Sequence, residues 1–238
     1  MCGRYVSPDE AALERALHVG RRNSNPFVRK FNVFPTDSVA LLRPAHEAVG
    51  PEVVHARWGL VPHWWKDAKL PARPNHIARV EEASGKPTWR DAWRRARCLI
   101  PAEGWYEWQE LERIDPATGE IAKSKQPHYV RRADGALSCF AGLMARWTHP
   151  ASGETLLSCA ILTVQATGSL AAVHERAPVV LPESLYGAWL DRRLTDPAGV
   201  RVLTAARLAP EAFAHHKVRP LVNNARADGP ELVEPLAA

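Results

Sequence analysis

The chain has 238 residues, of which 46% are hydrophobic and 24% charged, and its formal net charge is +5. These values are typical of a soluble globular chain that buries a sizeable core, and the modest basic bias permits an anionic partner without requiring one. The sequence contains no apolar run long enough to cross a bilayer and no charged-then-apolar leader, so we expect a cytoplasmic protein, or a nuclear one in a eukaryote, without a membrane partner.

The first half of the chain predicts short elements. The Ser-Pro-Asp-Glu sequence at 7–10 predicts a capped helix over 11–17. Thr88 is a candidate cap for a second helix over 89–95. Strands are predicted over residues 39–43, 53–58, 98–101 and 105–111, and residues 58–62 predict a strand that runs into a turn.

The second half contains the clearest local signal. An Asp134-Gly135 step stands between the β-rich runs 128–132 and 137–143, which is typical of a hairpin. Further along, the sequence predicts a strand over 154–164, a helical turn over 169–174, a strand over 177–181 and helices over 183–190 and 198–208.

Helices therefore cluster near the two ends and strands dominate the middle. This order favours an α+β fold over an alternating βαβ fold. We expect one strand-rich domain over residues 1–238, with a mostly antiparallel sheet and a few short peripheral helices.

The four cysteines are Cys2, Cys98, Cys139 and Cys159, and no two of them form a CxxC pair. Neither a zinc site nor a disulfide framework is indicated. The last three lie in apolar stretches and are predicted to be reduced core residues. The adjacent His215-His216 has no cysteine or carboxylate at ligand spacing, so we expect it to be structural or exposed. We expect no metal and no cofactor.

Cys2 follows the initiator methionine directly, in Met1-Cys2-Gly3-Arg4. Removal of Met1 would leave a 1,2-aminothiol, whose α-amine has an ordinary pKa of about 7.7–8.0 and is partly unprotonated at neutral pH. Such a pair can attack an aldehyde with nitrogen and then close a five-membered ring with sulfur. The alternative is a small buried hydrophobic residue that follows methionine by chance.

Glu107 and His174 are candidate acid–base residues. Alternation along 105–111 places Glu107 and Trp105 on one face of a strand, where partial desolvation would raise the pKa of the carboxyl group and suit it to proton transfer. The alternative is a strand-edge glutamate paired with an arginine. His174 ends a helical turn just before an apolar strand, a place that suits either a cleft residue or a structural histidine.

Tryptophan is concentrated in one region, since eight of the nine lie between Trp58 and Trp147. Trp64 and Trp65 stand between His63 and Lys66, with further cations downstream. Paired tryptophans among cations are typical of a platform for single-stranded nucleic acid, where bases stack and phosphates are neutralised. Equally, two tryptophans after a proline can fill a core.

Together these segments resemble the SRAP family (SOS response-associated peptidase) over almost the entire chain. Besides Met1-Cys2-Gly3-Arg4, the matching stretches are residues 32–36, 58–62, 97–108, 140–143, 161–163, 174–178 and 222–224. Each stretch is weak alone. Seven stretches in the family's order, with a cysteine at residue 2, make a specific match.

The resemblance implies the SRAP fold and a sensor of abasic sites in single-stranded DNA. In that family the N-terminal cysteine forms a thiazolidine with the ring-opened sugar aldehyde and so shields the lesion. Cys2, Glu107 and His174 fall at the family's catalytic positions. Residues that would line the DNA or the lesion pocket are Arg4, Arg79, Thr163 and Arg176.

The chain departs from the family at one position. The family usually reads Asn-Ala-Arg-x-Glu where this chain has Ile77-Ala78-Arg79-Val80-Glu81. The asparagine expected at the active site is thus replaced by Ile77. Asn75, two residues upstream, can take its place only if the local loop is rearranged.

Three hypotheses follow. The first is a monomeric, nucleoid-associated protein that forms a covalent crosslink with abasic DNA, with residual lyase activity when ring closure fails. The second is a cysteine peptidase limited to removal of its own Met1, with Cys2, His174 and Glu107 as nucleophile, base and orienting group. The third is a non-covalent binder of single-stranded DNA, which predicts equal affinity for intact and abasic strands.

Overall fold

The computed structural model describes residues 3–18, 26–45, 51–114 and 121–236, and for 113 and 114 it describes the backbone alone. The strands in these ranges are β1 (Tyr5–Ser7), β2 (Lys30–Val33), β3 (Ser38–Pro44), β4 (Pro51–Trp58), β5 (Ile77–Arg79), β6 (Arg97–Ala102), β7 (Gly104–Ile114), β8 (Ile121–Arg132), β9 (Ser138–Thr148), β10 (Thr155–Gln165), β11 (Arg176–Pro178) and β12 (Phe213–Lys217).

The helices are short. They are α1 (Glu10–Leu17), α2 (Val80–Ala83), α3 (Arg90–Arg95), α4 (Gly168–Ala171), α5 (Tyr186–Leu190) and α6 (Pro197–Ala205). Single 3-10 turns cover Glu183–Leu185, Pro210–Ala212, Pro220–Asn223 and Pro230–Leu232. In this part of the chain no helix is long and apolar enough to cross a membrane.

Local chemistry explains where the helices begin. The Asp9 side chain accepts a hydrogen bond from the Ala12 N–H (2.7 Å) and so caps α1. Asp196 caps α6 in the same way, with Pro197 in the first turn. The candidate cap Thr88 is wrong, because α3 begins at Arg90 after Trp89 and no side chain caps it.

Two sheets form the frame of the protein. One runs β12-β8-β7-β1-β2, and the other runs β11-β10-β4-β3-β6-β9. Because β9 pairs with both β6 and β10, the second sheet closes into a barrel. The β10–β4 and β10–β5 pairs are parallel and the other named pairs are antiparallel. The predicted α+β fold with mostly antiparallel sheet is confirmed.

Alternation along the barrel strands separates two buried layers. Cys159 and Ile161 of β10 belong to a cluster with Phe140, which also takes in Tyr5 and Trp105 of the first sheet. Ala160 and Leu162 belong to a cluster that also takes in residues of α3, α5 and α6, so those helices cover the outer face. The barrel is thus buried on both faces.

The predicted hairpin around Asp134-Gly135 is wrong. The turn is present, with Gly135 at φ 75°, where glycine is favoured. The two strands it joins lie in different sheets, however, since β8 pairs with β7 and β12 while β9 pairs with β6 and β10. The Asp-Gly step is a signal for a turn, and it does not determine which strands pair.

Candidate active site

The central strand β7 places Glu107 inside the protein. Glu107 is only 3% exposed, and the residue opposite it on β8 is His128. Burial raises the pKa of the Glu107 carboxyl group to about 7. A carboxyl group with this pKa can both accept and donate a proton near neutral pH.

The start of the described chain runs along β7 beside Glu107. Tyr5 pairs with Trp105, and the carbonyl oxygen of Arg4 accepts a hydrogen bond from the Tyr106 N–H (3.0 Å). Edge-to-face contacts of Tyr5 with Trp58 (5.2 Å) and Phe140 (5.9 Å) hold this strand against the barrel. Cys2, the predicted nucleophile, lies outside the described residues.

His174 approaches Glu107 from the segment between α4 and β11. Its Nδ1 lies 3.9 Å from Glu107 Oε2 and accepts a hydrogen bond from the Arg176 N–H (2.9 Å). This contact is shorter than the 3.2 Å between Nδ1 and the Arg176 carbonyl oxygen, which would require the proton on Nδ1. A neutral ring that accepts at Nδ1 carries its proton on Nε2. Burial lowers the pKa of His174. Burial therefore favours the neutral form of both groups, a carboxylic acid at Glu107 and a neutral imidazole at His174.

The buried residues Arg176 and Thr163 form a clamp with the exposed Glu81. The Arg176 guanidinium donates to both Glu81 carboxylate oxygens (2.9 Å each) and to the Thr163 carbonyl oxygen (2.6 Å). These bonds lower the pKa of Glu81. Arg176 is 8% exposed and Thr163 is buried, so any contact they make with DNA is through a limited surface. Their assignment to DNA binding stays a prediction.

Arg79 is exposed and pairs with Thr163 across the β5–β10 ladder, which places it beside the clamp. Arg4 is half-buried, with its guanidinium 5.1 Å from the centre of the Phe34 ring and 3.5 Å from Asn32 Oδ1. Burial lowers the pKa of Arg4. The assignment of both arginines to DNA binding also stays a prediction.

Asn32 holds the loop after β12 against this region. The buried amide donates to the carbonyl oxygens of Asn224 and Ala227, both at 3.0 Å. Trp108, next to Glu107 on β7, donates from Nε1 to Asn223 Oδ1 (2.8 Å). Two matching stretches of the sequence, 32–36 and 222–224, thus meet at the site.

The segment that departs from the family is well ordered by backbone pairing. Asn75 forms a bridge with Leu60, and its side-chain amide donates to the Leu60 carbonyl oxygen (3.1 Å). Ile77 pairs with Ile161. His76, which the sequence analysis did not single out, packs edge-to-face on Trp58 at 5.7 Å. Burial lowers its pKa. The sequence could have drawn attention to His76, because it lies between Asn75 and Ile77 in the segment that departs from the family.

Trp64 and Trp65 lie toward the other end of β10. Trp147, which is paired with Leu156, donates from Nε1 to the Trp65 carbonyl oxygen (2.7 Å). Arg176 binds Thr163. Thr163 lies about 23 Å from Leu156 along β10, at the ordinary rise of about 3.3 Å per residue. Trp64 is 43% exposed and its ring centre is 6.5 Å from that of Trp65. The pair is available for stacking at a distance from the Glu107–His174 contact.

A cleft of about 690 Å³ opens beside His174. Its walls come from β7, from β8 and from the segment after α4, and they include Trp108, Gln109, Glu110, Lys125, Ala172 and His174. The three cysteines in the described ranges are buried, which raises their pKa and leaves them as unreactive thiols. No group of three or more metal-ligating side chains occurs in those ranges.

The chain is similar to known proteins over almost its entire length. Residues 1–225 match the family model described as SOS response associated peptidase (SRAP). The chain is 32% identical to the abasic site processing protein YoqW of Bacillus subtilis, over 98% of this chain and 99% of that one. It is 27% identical to the abasic site processing protein YedK of Escherichia coli, over 99% of this chain and all of that one.

Two solved structures share the fold. A protein from Bacteroides thetaiotaomicron has a TM-score of 0.77 at 20% identity and covers 99% of this chain and all of its own. A phage-related protein from Bordetella bronchiseptica has a TM-score of 0.67 at 28% identity, over 92% of this chain and 94% of its own. The chain therefore belongs to the SRAP family.

Proposed function

We propose that this protein processes abasic sites in single-stranded DNA by forming a covalent thiazolidine through Cys2 after removal of Met1. The observation that carries the proposal is the buried Glu107 carboxyl group, with a pKa of about 7, at 3.9 Å from His174 and beside the start of β1. An acid–base pair at the strand that leads to a terminal amine suits reactions of that amine. We also propose that the protein acts as a monomeric single domain.

The abasic sugar must first open to its aldehyde. His174 can donate a proton from Nε2, because its Nδ1 accepts a hydrogen bond from the Arg176 N–H. Donation to the ring oxygen of the sugar breaks its bond to C1′, while the proton of the C1′ hydroxyl leaves to a base. The product is an aldehyde at C1′.

The Cys2 amine then attacks C1′. Glu107 takes a proton from the attacking nitrogen and returns it to the departing hydroxyl, so water leaves and a Schiff base forms. The Cys2 thiol adds to the imine carbon, its proton passes to nitrogen, and the five-membered ring closes. Amine and thiol belong to one residue, so the second attack is intramolecular and avoids most of the entropic cost.

Ring closure determines the fate of the strand. A thiazolidine lacks the iminium group that withdraws electrons during β-elimination, so the strand is held intact. An imine that cannot close retains that group. We therefore expect Cys2→Ala, with a free α-amine, to give no stable adduct and to nick abasic DNA.

The test is incubation with an oligonucleotide that carries one abasic site, followed by a denaturing gel and the intact mass of the N-terminal peptide. Wild-type protein should give a denaturation-resistant conjugate, and protein that retains Met1 should give none. An unmodified lesion would refute the proposal. Cleavage of unrelated peptides that Cys2→Ala abolishes would favour the peptidase, and equal affinity for intact and abasic strands without an adduct would favour the non-covalent binder.

Phosphate contacts are assigned to Arg4, Arg79 and the exposed part of Arg176, and stacking is assigned to Trp64 and Trp65, with Thr163 and Asn75 at the lesion. We expect Arg79→Ala to weaken DNA binding equally for different sequences and to reduce the slope of log affinity against log salt by about 0.7–0.9. Binding titrations at several salt concentrations measure this slope.

The matched control is Arg201→Ala, because Arg201 is an exposed arginine on α6, which packs against α3 and α5. It should leave the slope unchanged. Equal slopes for Arg79→Ala and wild type would remove Arg79 from the phosphate contacts.

A further inference from the structure

Glu107 has a polar neighbourhood that the proposed chemistry does not use. On the adjacent strand β8, His128 lies directly opposite Glu107, so their side chains lie on the same face of the sheet. His128 is 5% exposed. Its Nε2 lies 3.2 Å from Gln109 Oε1 and its Nδ1 lies 3.3 Å from His215 Nδ1.

The direction of each hydrogen bond in this series of side chains follows from one fixed donor, the Gln109 amide. Gln109 Nε2 donates to the Ala172 carbonyl oxygen (3.1 Å), which leaves Gln109 Oε1 as an acceptor. His128 must then donate from Nε2. A neutral His128 therefore accepts at Nδ1, and His215 must donate from its own Nδ1.

His128 remains neutral throughout the physiological range. Its pKa is lowered to about 4 by burial and by the neighbouring His215, Lys217 and His216 of β12. The hydrogen bonds that link His215, His128, Gln109 and Ala172 therefore persist at the pH values where Glu107 titrates. Glu107 itself faces His128 across the β7–β8 pair.

The last bond reaches the segment that carries His174. Ala172 lies two residues before His174, and Gln109 lies two residues after Glu107 on the same face of β7. The bond between Gln109 and Ala172 thus joins the strand of the acid to the segment of the imidazole. The 3.9 Å contact between Glu107 and His174 spans the same two elements.

We propose that Gln109 and His128 are positioning residues, which hold the 172–175 segment against β7 and so set the placement of His174 relative to Glu107. Neither residue is assigned a contact with the sugar. The inference rests on the proposed function only for the expected change in crosslinking rate. The tautomers and hydrogen bonds of His128 and His215 can be measured without DNA.

The first experiment records two-bond nitrogen–proton spectra of wild-type protein labelled with 15N at histidine. We expect His128 to carry its proton on Nε2 and His215 to carry one on Nδ1. A His128 protonated on Nδ1 would overturn the network, because Gln109 Oε1 would then face a ring nitrogen without a proton.

The second experiment compares crosslinking rates on an abasic oligonucleotide. Gln109→Leu and His128→Leu should each slow the reaction by about tenfold to a hundredfold, since small misplacements of reacting groups are this costly. His128→Gln should restore most of the rate, because its amide can donate to Gln109 and accept from His215. Full activity in Gln109→Leu, or no recovery in His128→Gln relative to His128→Leu, would overturn the proposal.

Gln126→Leu is the matched control. Gln126 lies opposite Gln109 on β8, but its amide donates to the carbonyl oxygens of Pro127 and Val218 instead of to the His174 segment. The His174 ring signals should shift in Gln109→Leu and stay in place in Gln126→Leu. This readout distinguishes a failed network from a failed function. The difference in His174 ring signals between wild type and Gln109→Leu can be measured even if the wild type forms no adduct.

Discussion

Glu107→Gln is expected to slow formation of the covalent product by about a hundredfold or more, which is the usual contribution of a positioned general acid–base group. The amide keeps the size of the carboxyl group but cannot take a proton from the Cys2 amine or return it to the hydroxyl. Single-turnover crosslinking, followed on denaturing gels, measures the rate. Wild-type rates in the variant would remove Glu107 from the chemistry.

The pH dependence tests the same assignment. The burial-raised pKa of about 7 predicts that the wild-type rate increases through pH 7 as the carboxylate forms. In Glu107→Gln only the rise from deprotonation of the Cys2 amine, with its ordinary pKa of about 7.7–8.0, should remain. Glu112→Gln is the control, because Glu112 is an exposed residue of β7 paired with Lys123 (3.3 Å) and does not line the cleft beside His174. It should keep both the rate and the rise.

Stability gives an independent measurement of this group. The folded pKa of Glu107, about 7, lies above the ordinary value of 4.5, so the folded state binds the proton more tightly than the unfolded state. Its contribution to stability is therefore present at pH 4 and is lost as the pH rises through 7. Between pH 4 and 8 the wild type should lose up to about 3 kcal/mol relative to Glu107→Gln in urea denaturation. A constant difference would contradict the raised pKa.

Arg97→Ala is expected to lower the free energy of unfolding by several kcal/mol, because each buried carbonyl group left without a donor costs about 1–3 kcal/mol. Arg97 is buried at the start of β6. Its guanidinium donates to the carbonyl oxygens of Trp93 and Arg94 at the end of α3, and to those of Trp189 and Asp191 at the end of α5.

The physical reason is that helix ends leave carbonyl groups without partners. One planar cation with five N–H donors satisfies the last turns of both helices and completes the layer that covers the barrel. The alanine variant leaves these carbonyl groups buried without a donor, and each such group is costly. Burial lowers the pKa of Arg97, yet a guanidinium stays charged in proteins.

Urea denaturation midpoints measure the effect. Arg95→Ala, which changes an exposed arginine of α3, should alter stability by no more than about 0.5 kcal/mol. Arg97→Lys should recover only part of the loss, because an ammonium group cannot reach both helix ends in one plane. Equal midpoints for Arg97→Ala and Arg95→Ala would show that the carbonyl groups find other donors.

Several features were predictable because they depend on neighbours in the sequence. Alternation placed Glu107 and Trp105 on one face, and both are buried. The acidic residue before 11–17 predicted the capped start of α1. Predictions failed where a local signal was used for a distant contact, as when Asp134-Gly135 indicated a hairpin between strands that lie in different sheets.

His215-His216 is a second case in which the sequence did not predict a contact between distant strands. The sequence indicated a structural or exposed pair, and the structure places His215 against His128 and His216 Nε2 at 2.8 Å from the Val233 carbonyl oxygen. No pattern near residue 215 predicts its contact with β8. That contact exists because β12 pairs with β8 at the edge of the first sheet.

The amino-acid sequence alone determined the strand-rich α+β composition, the family resemblance and the identities of Cys2, Glu107 and His174 as candidates. Tertiary structure alone determined that Glu107 and His174 come within 3.9 Å, that Arg176 is held by Glu81 and Thr163, and that Trp64 and Trp65 lie toward the other end of β10. The reason is physical: alternation and capping depend on residues a few positions apart, whereas these contacts depend on the order and register of strands that are distant in the chain.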